Sequence, residues 1–253
     1  MNASDFLAAR SGQTSIDSLP SANGFDLDTA YAMESEIMRL RASAGHAAVG
    51  RKVGFANKAL WRILKLETVV WAHMFEDTVL YAEQGVAELA ISHLRAPKIE
   101  PEIVMKLRDP GAGLAGVEWV ALGFEIVDCP YPDWKFTPVD FVAAWGLHAG
   151  LIVGPKRPVT DVETHGRQLA DFRLSLFCND GFVEEGAGRN CLRSPALCLE
   201  ELARSAGKRG DALCPGEIIS TGSLTDAKPI SAGEEWRAEL NGLPLASLRV
   251  QFT

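Results

Sequence analysis

The sequence predicts an α+β protein: a small helical N-terminal part followed by a rolled or sandwiched sheet of antiparallel or mixed strands. Three observations carry this. Long helical spacing is concentrated in the first 45 residues, short strand-like runs fill most of the second half, and no βαβ rhythm of a doubly wound fold occurs. The division falls at residue 48, giving a helical region over 1–48 and a β-roll domain over 49–253.

The elements follow in order. "DLDTAYAMESEIMRLRASAG" opens with aspartates, repeats apolar residues at helical spacing (Met33, Ile37, Leu40), and ends at Gly45. "SLPSANG" before it contains Pro and Gly and reads as a linker. In "VGRKVGF" the strand period puts Val49, Arg51, Val53 and Phe55 on one face and Gly50, Lys52 and Gly54 on the other, leaving open space around Lys52. A short helix over 58–66 and the extended run "TVVWAHM" follow. Residues 99–107, 122–128 and 149–153 read as strands. "FRLSLFCNDGFVEEG" reads as a hairpin turned by Asp180-Gly181, and the C-terminal run as a hairpin on Asn241-Gly242. "SPALCLEELARSAGKRG" is a helix with Ser194 as N-cap, Pro195 in the first turn and Gly207 at its end.

Composition narrows the function classes. The 253 residues are 47% hydrophobic and 23% charged, enough for a substantial core. A net charge of −8 without a basic stripe argues against nucleic acid as a partner. No apolar run reaches the roughly 18 residues of a membrane helix. The five cysteines, Cys129, Cys178, Cys191, Cys198 and Cys214, include no CxxC pair and point to a reducing compartment. The expectation is a soluble cytoplasmic protein with a small-molecule partner. "GAGLAG" at 111–116 matches a dinucleotide fingerprint, but too little chain separates it from the next strand to hold a crossover helix.

The chemistry concentrates in "PKIEPEIVMKL". Glu100 and Glu102 are two residues apart on a strand, so they share a face about 7 Å apart along the backbone. Two such carboxylates repel unless something positive lies between them. Glu125, in the apolar run "ALGFEIVDC", adds a third acid, with Gly123 leaving room beside it. Three carboxylates converging from two strands form a site for Mg²⁺ or Mn²⁺, which take oxygen ligands. The competing reading is a solvated sheet face. Lys52 is a candidate to neutralise a substrate oxyanion, or simply an exposed strand lysine. His73 and His148 sit in apolar stretches, where each is either a general base or a core histidine. Thr221, Gly222 and Ser223 in "STGSLTD" offer donors for a carboxylate, or form a plain turn.

Together "GRKVGF", "PKIEPEIVMKL", "FEIVDCPYPDWKF", "GAGRNCLRSPALCLEELAR" and "LCPGEIISTGSLTDAKPI" resemble the 2-keto-4-pentenoate hydratase branch of the fumarylacetoacetate hydrolase superfamily, from about residue 28 to the C-terminus. The resemblance implies a mixed β-roll, Mg²⁺ or Mn²⁺ held by Glu100, Glu102 and Glu125, Lys52 beside a 2-oxo acid, the Thr221–Ser223 loop on its carboxylate, and a homo-oligomer. Two segments depart from the branch. "WAHM" puts His73 where an acid is usual, and "AAWGLHA" replaces a polar stretch and introduces His148. The departures lead us to expect a hydrolase of aromatic-compound degradation that cleaves a C–C bond of a 2,4-dioxo acid, with His73 or His148 activating water. The alternative is water addition to a 2-hydroxydienoate by a hydratase-type hydro-lyase, or a related decarboxylase. A metal-free binding module is the reading of another class. Arg51, Arg62, Arg189 and Arg193 are all candidates to meet a second carboxylate, and the sequence does not choose among them.

Overall fold

The computed structural model describes residues 1–10 and 16–253. Among these, two short helices at the N-terminus, α1 (Ala3–Arg10) and α2 (Leu27–Ser43), precede the first strand. Asp26 caps α2 by accepting from the Thr29 amide, and Gly45, at φ 92°, follows its end. Phe6, Ala30 and Ile37 from these helices belong to the same apolar core as the strands.

The larger sheet joins β1 (Ala48–Gly54), β2 (Val70–Phe75), β3 (Val79–Tyr81), β5 (Lys98–Leu107), β6 (Val117–Val127), β7 (His148–Val153) and β11 (Ile218–Ser220) in the order β2-β1-β11-β5-β6-β7-β3. The short strands β8 (Arg157–Pro158) and β12 (Lys228–Pro229) pair with β6 and β5 off this path. A second sheet carries β10 (Gly181–Ala187), β9 (Arg173–Cys178), β13 (Glu235–Asn241), β14 (Leu248–Phe252) and β4 (Val86–Leu89), in that order. Both sheets mix parallel with antiparallel pairs, as the absence of a βαβ rhythm predicts. Helices α3 (Trp61–Leu64), α4 (Pro138–Ala143), α5 (Val162–Asp171) and α6 (Pro195–Lys208) complete the fold. Ser194 caps α6 and Pro195 opens it, as read from the sequence.

Register divides the central strands between two environments. Glu102 lies opposite Gly123, Glu100 opposite Glu125, Lys52 beside Ser220, and Ser220 opposite Val104, so the three acids and Lys52 share one sheet face. Val104, Trp119, Ala121, Leu151, Val153 and Ile218 continue that face as a small apolar cluster. Arg51, Ile103 and Met105 point the opposite way, and the last two enter the main core.

Three local expectations need correction. The β9–β10 hairpin turns on Asn179-Asp180, both with positive φ, while Gly181 already pairs with Cys178. The β13–β14 connection is a longer loop after Asn241, because Ala238 pairs with Leu248. Nor do the glycines around Lys52 leave open space. A Cβ at Gly50 would stand 1.8 Å from the Ile218 carbonyl oxygen, and one at Gly54 would stand 2.4 Å from the Phe141 ring. Gly50 therefore admits β11, and Gly54 admits an aromatic wall. All five cysteines are free. No helix among the described residues is long and apolar enough to cross a membrane.

Candidate metal centre

Glu100, Glu102 and Glu125 offer carboxylate oxygens that all lie within 4.8 Å of one another. Glu102 and Glu125 are fully buried, and Glu100 is the outermost. Their surroundings are unequal. Glu102 Oε2 accepts from the Gly222 amide at 2.8 Å and, in a short bond, from the Ser220 hydroxyl, while its Oε1 has no hydrogen-bond partner. Glu125 Oε1 faces His148 Nδ1 at 2.8 Å, and its Oε2 lies 3.1 Å from the Lys52 ammonium. Three carboxylates, two of them fully buried, against one lysine leave negative charge uncompensated, which a low-dielectric site does not tolerate.

The titration behaviour follows. Burial, with Glu125 opposite, pushes the Glu100 carboxyl up to about 7 against the pull of Lys52. Burial, then Glu125 and Glu100, push Glu102 well above the usual carboxylate range. Burial would raise Glu125 too, but Lys52 and His148 outweigh it and hold its pKa down. Burial works against the Lys52 charge, yet the three glutamates overcome it and hold the ammonium above its ordinary value. A hard divalent cation satisfies this donor set: all oxygen, convergent, with Glu102 Oε1 unpartnered. Glu100, Glu102 and Glu125 fit such an ion.

Lys52 is clamped from behind. Its ammonium donates to the Gly146 carbonyl at 2.9 Å and stands 4.6 Å from the centre of the Phe141 ring. That carbonyl is aimed by three consecutive left-handed residues, Trp145 (φ 56°), Gly146 (φ 62°) and Leu147 (φ 56°). A Cβ on Gly146 would approach both Lys52 and Ala72 to 2.8 Å, so the clamp needs glycine. Nothing in the one-dimensional pattern of "AAWGLHA" marks this run as backbone machinery.

Lys52 and Glu100 lie at the floor of a cleft of about 690 Å³. Phe55, Trp134, Phe136, Phe141 and Leu147 wall it. Phe141 stacks on Phe136 and meets Phe55 edge-on, 5.3 Å between centroids. Helix α4 positions this wall through a capping box between Thr137 and Asp140, and Asp140 also accepts from the Ser21 amide and hydroxyl.

The remaining candidates take other places. His73 does not join the cleft. It pairs with Arg51 across β1–β2, whereas Lys52 pairs with Ala72, so strand alternation sends its ring to the opposite face. There Nδ1 lies 2.9 Å from Glu34 Oε1 and Nε2 lies 3.7 Å from Asp211. His148 is fully buried behind Glu125, with Nε2 3.0 Å from the Thr78 hydroxyl. Burial outweighs Glu125 and lowers its pKa, so the neutral ring donates from Nδ1 to Glu125, with Nε2 against the Thr78 hydroxyl, which itself donates to the Phe75 carbonyl. Neither histidine lines the cleft. In the 221–223 loop, Thr221 donates to the Ile103 carbonyl, the Gly222 amide donates to Glu102, and the Ser223 hydroxyl donates to the Thr225 carbonyl. The loop therefore seats Glu102, and Gly222 and Ser223 line the cleft.

No family model matches the chain. It is 32% identical over 222 residues to a 4-oxalocrotonate decarboxylase from Pseudomonas sp., spanning 83% of this chain and 82% of the relative. It is 29% identical to the 2-keto-4-pentenoate hydratase of Paraburkholderia xenovorans (strain LB400), over 93% of this chain and 86% of that one. Among solved structures, 4-oxalocrotonate decarboxylase from Pseudomonas putida G7, complexed with magnesium and adipate, superposes with a TM-score of 0.88 at 24% identity, covering 99% of this chain and 95% of that chain. These relatives overturn hydrolysis of a 2,4-dioxo acid as the reaction, because chains similar over most of the length are decarboxylases and hydratases. The structure supplies the physical reason: of the two histidines expected to activate water, His73 faces away from the acids and His148 is buried behind Glu125, so neither lines the cleft.

Proposed function

The chain belongs to the fumarylacetoacetate hydrolase superfamily, in its hydratase-like branch, and from that premise we propose that it is a divalent-metal-dependent lyase acting on a short unsaturated 2-oxo acid. The reaction is addition of water to a 2-hydroxydienoate, giving a 4-hydroxy-2-oxo acid. The observation that carries the reading is the trio of convergent carboxylates, two of them fully buried and one with an unpartnered oxygen, beside a buried lysine that lines an aromatic cleft.

Glu100, Glu102 and Glu125 would hold Mg²⁺ or Mn²⁺. The ion supplies Lewis-acid polarisation of the keto group. Lys52 keeps a fixed positive charge where negative charge develops on the substrate oxygen, and the Gly146 carbonyl holds it there without reorganisation. Ser220 and the Gly222 amide fix one oxygen of Glu102 and leave the other without a protein partner, available as a ligand. His148, held by Thr78, orients Glu125 from behind and acts as a positioning residue. The wall from Phe55 to Leu147 limits water around the reacting carbons.

Decarboxylation is the second reading, favoured by the 32% identical decarboxylase. Both reactions need the same stabilised enolate. Incubating the Mg²⁺-loaded protein with 2-hydroxypenta-2,4-dienoate and with 4-oxalocrotonate separates them. A 4-hydroxy-2-oxo acid from the dienoate establishes the hydratase, and CO₂ from the diacid establishes the decarboxylase. Inertness toward both, with full metal occupancy, would overturn the proposal.

A further inference from the structure

We propose that Cys191 and Cys198 are positioning residues of the metal centre: their two thiols together hold the Thr221–Gly222 peptide in the orientation that aims the Gly222 amide at Glu102. The inference rests on the metal reading above. It extends that reading one step outward, from the ligand to what sets the ligand.

The two cysteines come from either side of the Ser194 cap, Cys191 before it and Cys198 in the first turns of α6, and both are completely buried. Each thiol donates to the same acceptor, the Thr221 carbonyl oxygen, at 2.8 Å. A carbonyl oxygen has two lone pairs, and two thiols fill them. The sulfurs also contact each other. That hydrogen bond first, and then burial, pushes the Cys198 thiol well above its usual range, so it keeps its proton and remains a donor.

The acceptor and the Glu102 donor belong to one planar unit. The Thr221 carbonyl and the Gly222 amide are the two ends of a single peptide group, so turning the oxygen turns the N–H with it. The oxygen rests on the thiols, and the N–H lies 2.8 Å from Glu102 Oε2. Upstream, the Thr221 amide and hydroxyl are both committed to the Ile103 carbonyl. Downstream, Gly222 sits at φ 103°, and a Cβ there would stand 2.7 Å from the Ala56 Cβ. Gly222 therefore brings no side chain to fix the turn, and the peptide's rotation is set through its oxygen.

Packing alone does not ask two side chains from different segments to converge on one oxygen. Without them the Thr221 carbonyl would be buried and unsatisfied, a state that folded chains avoid. Rotation toward another donor would relieve it and would take the Gly222 amide away from Glu102. Hydrogen bonds in series also polarise one another, so the thiols strengthen the amide's hold on the carboxylate.

The test is calorimetric titration of the whole chain with Mg²⁺, comparing the double variants Cys191→Ala/Cys198→Ala and Cys191→Ser/Cys198→Ser. Both lose the packing of two sulfurs, and only serine keeps a donor, so the difference between them reads the hydrogen bonds alone. The alanine pair should bind Mg²⁺ about tenfold more weakly than wild type, as when a hydrogen-bond partner of a metal ligand is removed. The serine pair should stay within about twofold of wild type, because its hydroxyls still donate. Each single alanine variant leaves one thiol on the carbonyl and should fall between, which keeps the result readable if the double variant does not fold. Equal Mg²⁺ affinity in the alanine and serine variants, whether unchanged or lowered together, overturns the role of the thiols and leaves the metal reading intact. Wild-type protein that takes up no Mg²⁺ at millimolar concentration overturns the two together.

Discussion

Strand β1 separates two buried charge clusters that look alike in composition and differ in what they lack. On one face Lys52 meets Glu100, Glu102 and Glu125; on the other Arg51 and His73 meet Glu34, Asp211 and Glu217. In the second cluster every acid lies within ion-pair distance of a cation: Glu34 has His73 at 2.9 Å, and Asp211 and Glu217 share Arg51 at 2.8 and 3.2 Å. In the first, Glu102 is held by a hydroxyl and an amide, and Lys52 touches only Glu125. Buried charge by itself marks structure as readily as function. An unmet demand for positive charge, opening on a cleft, marks the site.

The largest effect that would break this contrast comes from Glu102→Gln. Losing one of three carboxylates should reduce turnover at saturating substrate by roughly 10²–10³-fold, with far-ultraviolet dichroism unchanged. Lys52→Met should lower kcat by about 10²-fold while the protein still binds Mg²⁺ by calorimetry. If kcat is unaffected, Lys52 is only a counter-charge.

His148→Ala tests the positioning role. Mg²⁺ affinity should fall about 10–100-fold, and Thr78→Val should produce a smaller loss in the same direction. His73→Gln probes the opposite face. It should cost about 1–3 kcal/mol of stability by denaturant titration and leave kcat within about twofold. A large loss of kcat would return His73 to the chemistry and erase the distinction between faces. Burial opposes the His73 charge, but Glu34 and then Asp211 outweigh burial and Arg51 and raise its pKa. Its stabilisation is therefore complete below the unfolded value of about 6.5 and is lost as pH rises through the folded one. The variant should differ most from wild type in acid.

The smallest and most diagnostic effect is on pH. Glu100 and Glu102 are raised, so the metal-free fold holds protons that the unfolded chain releases between about pH 4.5 and 7. Metal-free protein should lose stability as pH rises through that window, by thermal melting. Mg²⁺, which displaces those protons, should bind more tightly at pH 8 than at pH 6 and cancel the loss. A metal-free melting temperature that rises over this range would show that the acids are not raised as described.

Much of the site was legible because a strand has period two. That rule alone puts Glu100 and Glu102 on one face and separates Lys52 from Arg51. It also suggests Glu125 as a third acid, though only the β5–β6 register places it opposite Glu100. His73 was misplaced for the same reason: its face depends on the β1–β2 register, a long-range pairing that no local pattern reveals. The donors of the 221–223 loop looked free because their acceptors, Ile103 and Glu102, are about 120 residues away in sequence. The hairpin at Asn179-Asp180 was missed by one position, since glycine is the stronger signal but here begins the return strand. The hydrolase expectation failed because it read chemistry from residue type at positions 73 and 148, where one ring points to the opposite face and the other is buried behind Glu125.

Beside its ion pair with Glu125, Lys52 is anchored by a main-chain carbonyl oxygen, and this bears on how the protein can diversify. A codon change at Leu147 that preserves the local bend alters the cleft wall and leaves the anchoring atom untouched. Gly146 itself is barred from variation by crowding. New substrates can therefore be explored along this segment without a mutation that disconnects the lysine from its support.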